Sequence, residues 1–205
     1  MTHAPSIRRR HPAASPPEQR LRTVPVPSQS APARGYLTTQ GELALATLLQ
    51  EPPLDWAVFP AGPSGPVSEH LMVGPGGVFT INTRHSDGEW IWVDKDTIRV
   101  SGRRMAYRQD AVVEAQRVTA LLRARIPLRA PVRPVIALVG ARFIVVRGKT
   151  PAMAVVDARE LQVWLEARPT VLRPIERMEL AAVIDNPVTW GARPSMKRPD
   201  APTAA

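Results

Sequence analysis

With 27 basic against 18 acidic side chains over 205 residues, the chain carries a formal charge of +9, and its 23 prolines limit how much of it can form long helices or central strands. The absence of cysteine excludes disulfides, thiolate metal sites and cysteine nucleophiles. No apolar run reaches the length that a transmembrane helix needs. The charge is unevenly spread: residues 1–34 contribute +5, residues 191–205 contribute +2, and the stretch between them only +2. Both ends are rich in Pro, Ala and Arg, and residues 1–34 hold only Ile7 and Leu21 as large aliphatics besides valine. Such segments bury too little apolar surface to offset their ordering entropy, so disordered basic tails are expected at 1–34 and 191–205. Tails of this kind add salt-sensitive attraction to polyanions, or serve only solubility. The first 30 residues lack an apolar h-region, so no secretory signal is expected, and the expected location is a reducing, bacterial-type cytoplasm. Residues 35–190 are long enough for one domain with a proper core.

In chain order, Thr39 and Glu42 form a capping-box pattern ahead of the apolar run of Leu43, Leu45, Leu48 and Leu49, and Pro52-Pro53 stops that helix. A short strand is predicted over 56–59 and a Pro/Gly-punctuated loop over 60–66. Residues 67–84 then read as two strands around Gly74-Pro75-Gly76-Gly77. In a symmetric hairpin the paired residue numbers sum to 151. Glu69 then faces Asn82, Leu71 faces Thr80, and Val73 faces Val78. The period-two alternation puts Glu69, Asn82 and Arg84 on one face, and His70, Met72, Phe79 and Ile81 on the other. Both faces have apolar members, so the sheet is expected to be covered on both sides.

Two further strands are predicted over 90–93 and 97–100, with Ser101 to Arg104 ending the second. Helical spacing runs over 109–125. A nearly continuous apolar strand follows over 132–139, in which Pro134 is tolerable at an edge or near the strand start. Strands at 143–146 and 154–156, a helix capped by Asp157 and a last helix over 174–185 complete the order. This mixture of strands and helices predicts an α/β (α+β) fold, a mixed sheet with helices on its faces. Trp90 and Trp92 share one strand face and are expected to pack rather than stack on bases.

The hairpin from His70 to Thr83 resembles the signature of the nuclease-related domain, NERD, a branch of the PD-(D/E)xK nuclease superfamily. The resemblance extends from Gly41-Glu42 to Val188-Thr189-Trp190 and implies a restriction-endonuclease-like mixed sheet. It also implies a divalent cation held by a helix-borne Glu, an acidic residue on the first hairpin strand, and an acidic-x-Lys on the second. Carried over by position, Glu42 matches the helix Glu and Glu69 the first acid. Asn82 stands in the second acidic place, as in actinobacterial members, and Arg84 stands in the Lys place. Gln109, early in the following helix, is the accessory polar position.

The chemistry implied is Mg²⁺- or Mn²⁺-dependent phosphodiester hydrolysis, with DNA as the expected partner. The cation gathers the scissile phosphate and lowers the pKa of a bound water. Asn82 offers a carbonyl oxygen without charge, and Arg84 stays protonated and cannot act as a base, though it binds phosphate well. The expectation is therefore a nuclease-derived protein whose catalysis is weakened or lost. The alternative is a non-catalytic module binding nucleic acid or protein on the same fold.

Overall fold

The computed structural model describes residues 31–60, 70–147 and 153–191, with side chains from Tyr36 onward in the first stretch. Expectations for Glu69, for the loop over 61–66 and for residues 1–30 and 192–205 lie outside the described residues.

Among the described residues, nine strands and four α-helices follow the order α1 (Ala31–Gln50), β1 (Ala57–Pro60), β2 (His70–Gly74), β3 (Gly77–His85), β4 (Trp90–Asp94), β5 (Thr97–Val100) and β6 (Arg103–Met105). Then come α2 (Tyr107–Arg123), β7 (Arg133–Val139), β8 (Phe143–Val146), β9 (Ala154–Asp157), α3 (Leu161–Glu166) and α4 (Pro174–Asp185). A five-stranded sheet runs β1-β2-β3-β7-β9, and a four-stranded sheet runs β6-β5-β4-β8. Each is mixed. Antiparallel pairing joins β1 to β2 and β2 to β3, whereas β3–β7 and β7–β9 are parallel. In the smaller sheet only β4–β8 is parallel. The α+β class is as expected; the division into two sheets is not.

The hairpin register is the expected one: His70 pairs with Ile81, Leu71 with Thr80, Val73 with Val78 and Gly74 with Gly77. Pro75-Gly76 is thus a two-residue loop, and Gly77 adopts a φ of 123° that disfavours any side chain. Gly74 is required for a different reason. A Cβ there would lie 2.2 Å from the indole of Trp56, itself buried against Met72 and Phe79.

Three apolar clusters stitch the layers together. On one face of the large sheet, Leu45 and Leu48 of α1 and Leu161 and Leu165 of α3 cover Phe79, Ile81 and Val135. On the other face, Val118 and Leu122 of α2 and Leu180 and Ile184 of α4 cover Leu71, Val73 and Val78. Beside them the small sheet lays Ile91, Val93 and Ile98 on Ile136 and Leu138 of β7. Pro134 is tolerated inside β7 because it is the second residue of that strand.

Two expectations need correction. Helix α1 begins at Ala31, inside the stretch assigned to the tail, so Thr39 and Glu42 are interior residues and form no capping box. Pro32 in the first turn sacrifices no helical hydrogen bond, and continued i→i−4 bonding prevails over the cap at Thr39. Residues 103–105 do not end β5 but form β6, because Ser101 at φ 46° and Gly102 at φ 86° turn the chain back tightly.

The close contact at Gly74 makes a direct forecast. Gly74→Ala should destabilise the protein by about 1–3 kcal/mol through overpacking against Trp56, read as a fall in the urea midpoint at unchanged m-value.

Candidate functional site

Strand β3 is buried along seven consecutive residues from its start and delivers side chains alternately to the two layers. Phe79 and Ile81 enter the α1 cluster and Val78 the α2 cluster. Alternation therefore turns Thr80, Asn82 and Arg84 toward α2, and Thr83 and His85 toward α1.

The contacts agree. His85 Nε2 lies 3.1 Å from Glu42 Oε1 on α1, and both side chains are half-exposed. Arg84 lies over the ring of Tyr107, the first residue of α2, with its guanidinium carbon 5.2 Å from the centroid. It also donates to the Thr83 carbonyl oxygen at 2.9 Å. The sheet thus separates Glu42 from Asn82 and Arg84, and no hydrogen bond or ion pair among the described residues joins them. Glu42 projects from the solvent side of its helix, where its partner is the histidine at the end of β3.

Gln109 does not complete the expected surface either. It is exposed and borders a groove with Arg104, Arg108 and Val112. Gln109 follows Tyr107 by two residues, about 200° around the helix, and so points away from the strand. The side chains that α2 turns inward are Ala111, Glu114, Ala115, Val118, Thr119 and Leu122.

Asn82 is the unusual residue. It is 0% exposed, and among the described residues neither its Oδ1 nor its Nδ2 has a hydrogen-bond partner. The Thr80 hydroxyl on the same face is also buried and unpartnered. Beside Asn82, β7 supplies only Ile136. A buried carboxamide with no partner costs on the order of 1–3 kcal/mol, so packing alone does not account for asparagine at this place.

Glu114 was not singled out from the sequence. It is only 7% exposed, and its carboxylate accepts two bonds from Arg117, Nε at 2.9 Å and Nη2 at 2.8 Å. That pairing holds the Arg117 pKa above its usual value against the opposing effect of burial. Tyr107 meets Arg84 at one end of α2, while Val118 and Leu122 pack with Val78 at the other. Glu114 therefore rides at the level of Thr80 and Asn82. It lies on the flank of α2 opposite Thr119, which accepts from the Val132 N–H just ahead of β7. The sequence signal was a glutamate beside Ala115, three residues after Ala111 and four before Val118, and so on the apolar face of the helix.

The described residues do not fit a divalent cation as they stand. No group of three His, Asp or Glu among them converges on one point. Asn82 brings one neutral carbonyl oxygen, and Arg84 brings a fixed positive charge to the same face. Glu42 and Glu114 are engaged with other partners on opposite sides of the sheet. A hard cation requires more anionic oxygen than this.

Because the Asn82 carboxamide is buried without partners, Asn82→Leu, which keeps its shape, should raise stability by about 1–3 kcal/mol, measured as a higher urea midpoint. An unchanged or lowered midpoint would show that the carboxamide is satisfied in solution.

None of the described helices is long and apolar enough to cross a membrane. Comparison of the chain with protein-family models, with curated proteins and with solved structures finds no match in any of the three.

Proposed function

We propose that this chain is a nuclease-related protein, derived from a metal-dependent DNA phosphodiesterase whose catalysis is weakened or lost. The observation that carries the proposal is the unpartnered, fully buried Asn82, two residues before Arg84 on the central strand. A polar pair kept at that position at a cost to stability is what a former cation site leaves behind when a carboxylate becomes its amide. The expected hairpin register and the mixed sheet covered on both faces support the same reading.

In this reading Asn82 retains the shape of an acidic ligand without its charge. Arg84 retains a cation where a lysine would have positioned water, but holds it against Tyr107 and the Thr83 carbonyl. A guanidinium stays protonated at all working pH values, so it attracts phosphate and repels a metal. No hydrolytic step is assigned to these residues. The second reading is a non-catalytic module that binds nucleic acid; the charge at position 84 favours it, because phosphate attraction survives the loss of the metal.

Incubation of supercoiled plasmid with the purified protein and Mg²⁺ or Mn²⁺, with an EDTA control, is the test. Wild-type cleavage should be weak or undetectable. Asn82→Asp combined with Arg84→Lys should create or increase EDTA-sensitive cleavage, and Glu69→Ala in that background should abolish it. Brisk wild-type cleavage that is insensitive to Glu69→Ala would overturn the proposal.

A further inference from the structure

The small sheet buries only one of its faces. Ile91, Val93, Ile98 and Val100 point inward, and their neighbours in the strands point outward to solvent. On that outer face the register sets Trp90 beside Phe143, Trp92 between Arg99 and Val145, and Arg99 beside Arg104. Trp90 is 41% exposed and Phe143 48%, although their rings pack together with centroids 4.7 Å apart. The expectation that the tryptophans pack holds for Trp90, which packs on Phe143 at the outer face, whereas the ring contact of Trp92 among the described residues is with Arg147.

Arginines frame these rings. Arg147 lies 4.9 Å over Trp92, and Arg142 lies 5.4 Å over Phe143. Arg99, Arg104, Arg142 and Arg147 have no ion-pair partner among the described residues, whereas the nearby Arg103 and Arg108 are paired with Glu89 and Asp96. Between Arg99 and Arg147 a groove of about 240 Å³ runs over Trp92, with Thr97 and Asp94 on its border. The Asp94 carboxylate accepts from the Lys95 N–H at 2.7 Å. Four unpaired cations around three partly open rings serve no purpose in the core, which lies on the other side of the sheet.

We infer that this face binds single-stranded nucleic acid, with bases stacking on Trp92 and on the Trp90–Phe143 pair and phosphates meeting Arg99, Arg104 and Arg147. Flat rings recognise any unpaired base through its π-face, and arginines track the backbone without reading sequence. A duplex hides its base faces and cannot use the rings. The arginines already stacked on Trp92 and Phe143 hold these surfaces in place and add a cation to each stack. The inference rests on the nucleic-acid part of the proposed function and is independent of cleavage, since none of these residues belongs to the Asn82–Arg84 face.

The experiment is fluorescence anisotropy of the full-length protein with labelled dT₁₂, rU₁₂ and a twelve-base-pair DNA duplex across a range of salt. Tighter binding of at least one single strand than of the duplex is expected, and the two single-stranded arms distinguish DNA from RNA. Trp92→Ala should weaken single-strand binding about tenfold, while Trp92→Phe restores most of it. Arg99→Ala with Arg147→Ala, at exposed positions where folding is not at stake, should weaken it several-fold and reduce the salt slope by about 1.4. Equal affinity for duplex and single strands that is unmoved by Trp92→Ala and by the double arginine variant would assign binding to the basic tails and overturn the inference. So would failure to bind either strand. Cleavage by the Asn82→Asp, Arg84→Lys protein without Trp92-dependent binding would sink this inference and leave the nuclease reading standing; the converse result would do the reverse.

Discussion

Strand β3 has hydrogen-bonded neighbours on both edges and helices over both faces, so every residue from Gly77 to Thr83 is buried. Everything else in the large sheet is arranged to make that burial tolerable. The strand pairs antiparallel with β2 through a two-residue turn and parallel with β7, whose own burial is nearly complete. Such a strand is expected to be apolar throughout. Thr80 and Asn82 break the pattern in its most enclosed part, and the surrounding layers leave the polar atoms of both side chains unpartnered.

That conflict between burial and polarity gives the site its meaning. A carboxylate at position 82 would be too costly to bury alone, because an unpaired charge in an apolar surround is far more expensive than an amide. With a cation beside it, the charge would be compensated. Asparagine keeps the shape of aspartate without its charge, so burying it costs less. Arg84 is then free to stack on Tyr107 as a fixed positive charge at the open end of the strand. The sheet sends Glu42 the other way, to His85, so the carboxylate matched to the helix position is separated from the pair by the thickness of the sheet.

The hairpin was legible because a two-residue turn and strict alternation fix register without reference to the rest of the chain. Leu71 opposite Thr80 follows from Gly74-Pro75-Gly76-Gly77 alone. The distribution of residues between two sheets was not legible. Strands β4 and β8 pair across some fifty residues of chain, and nothing local in Trp90-Ile91-Trp92 or in Phe143-Ile144-Val145 announces that partnership. Helix α2 illustrates the same limit within a candidate site. Gln109 enters only through the resemblance, as a polar residue near the helix start, whereas Glu114 is the residue that the 3.6-residue period carries to the inner face. The start of α1 is not legible either, because the capping-box pattern of Thr39 and Glu42 stands at a position that the helix passes through.

Calorimetric titration of Mn²⁺ into the wild-type protein and into Asn82→Asp with Arg84→Lys tests the central claim most directly, since it reads cation binding without depending on turnover or substrate. The account predicts little or no heat from the wild type and saturable binding by the double variant, lost again on Glu69→Ala. Tight wild-type binding that survives Asn82→Leu, or a double variant that folds but binds no metal, would contradict the claim that the Asn82–Arg84 face is a former cation site.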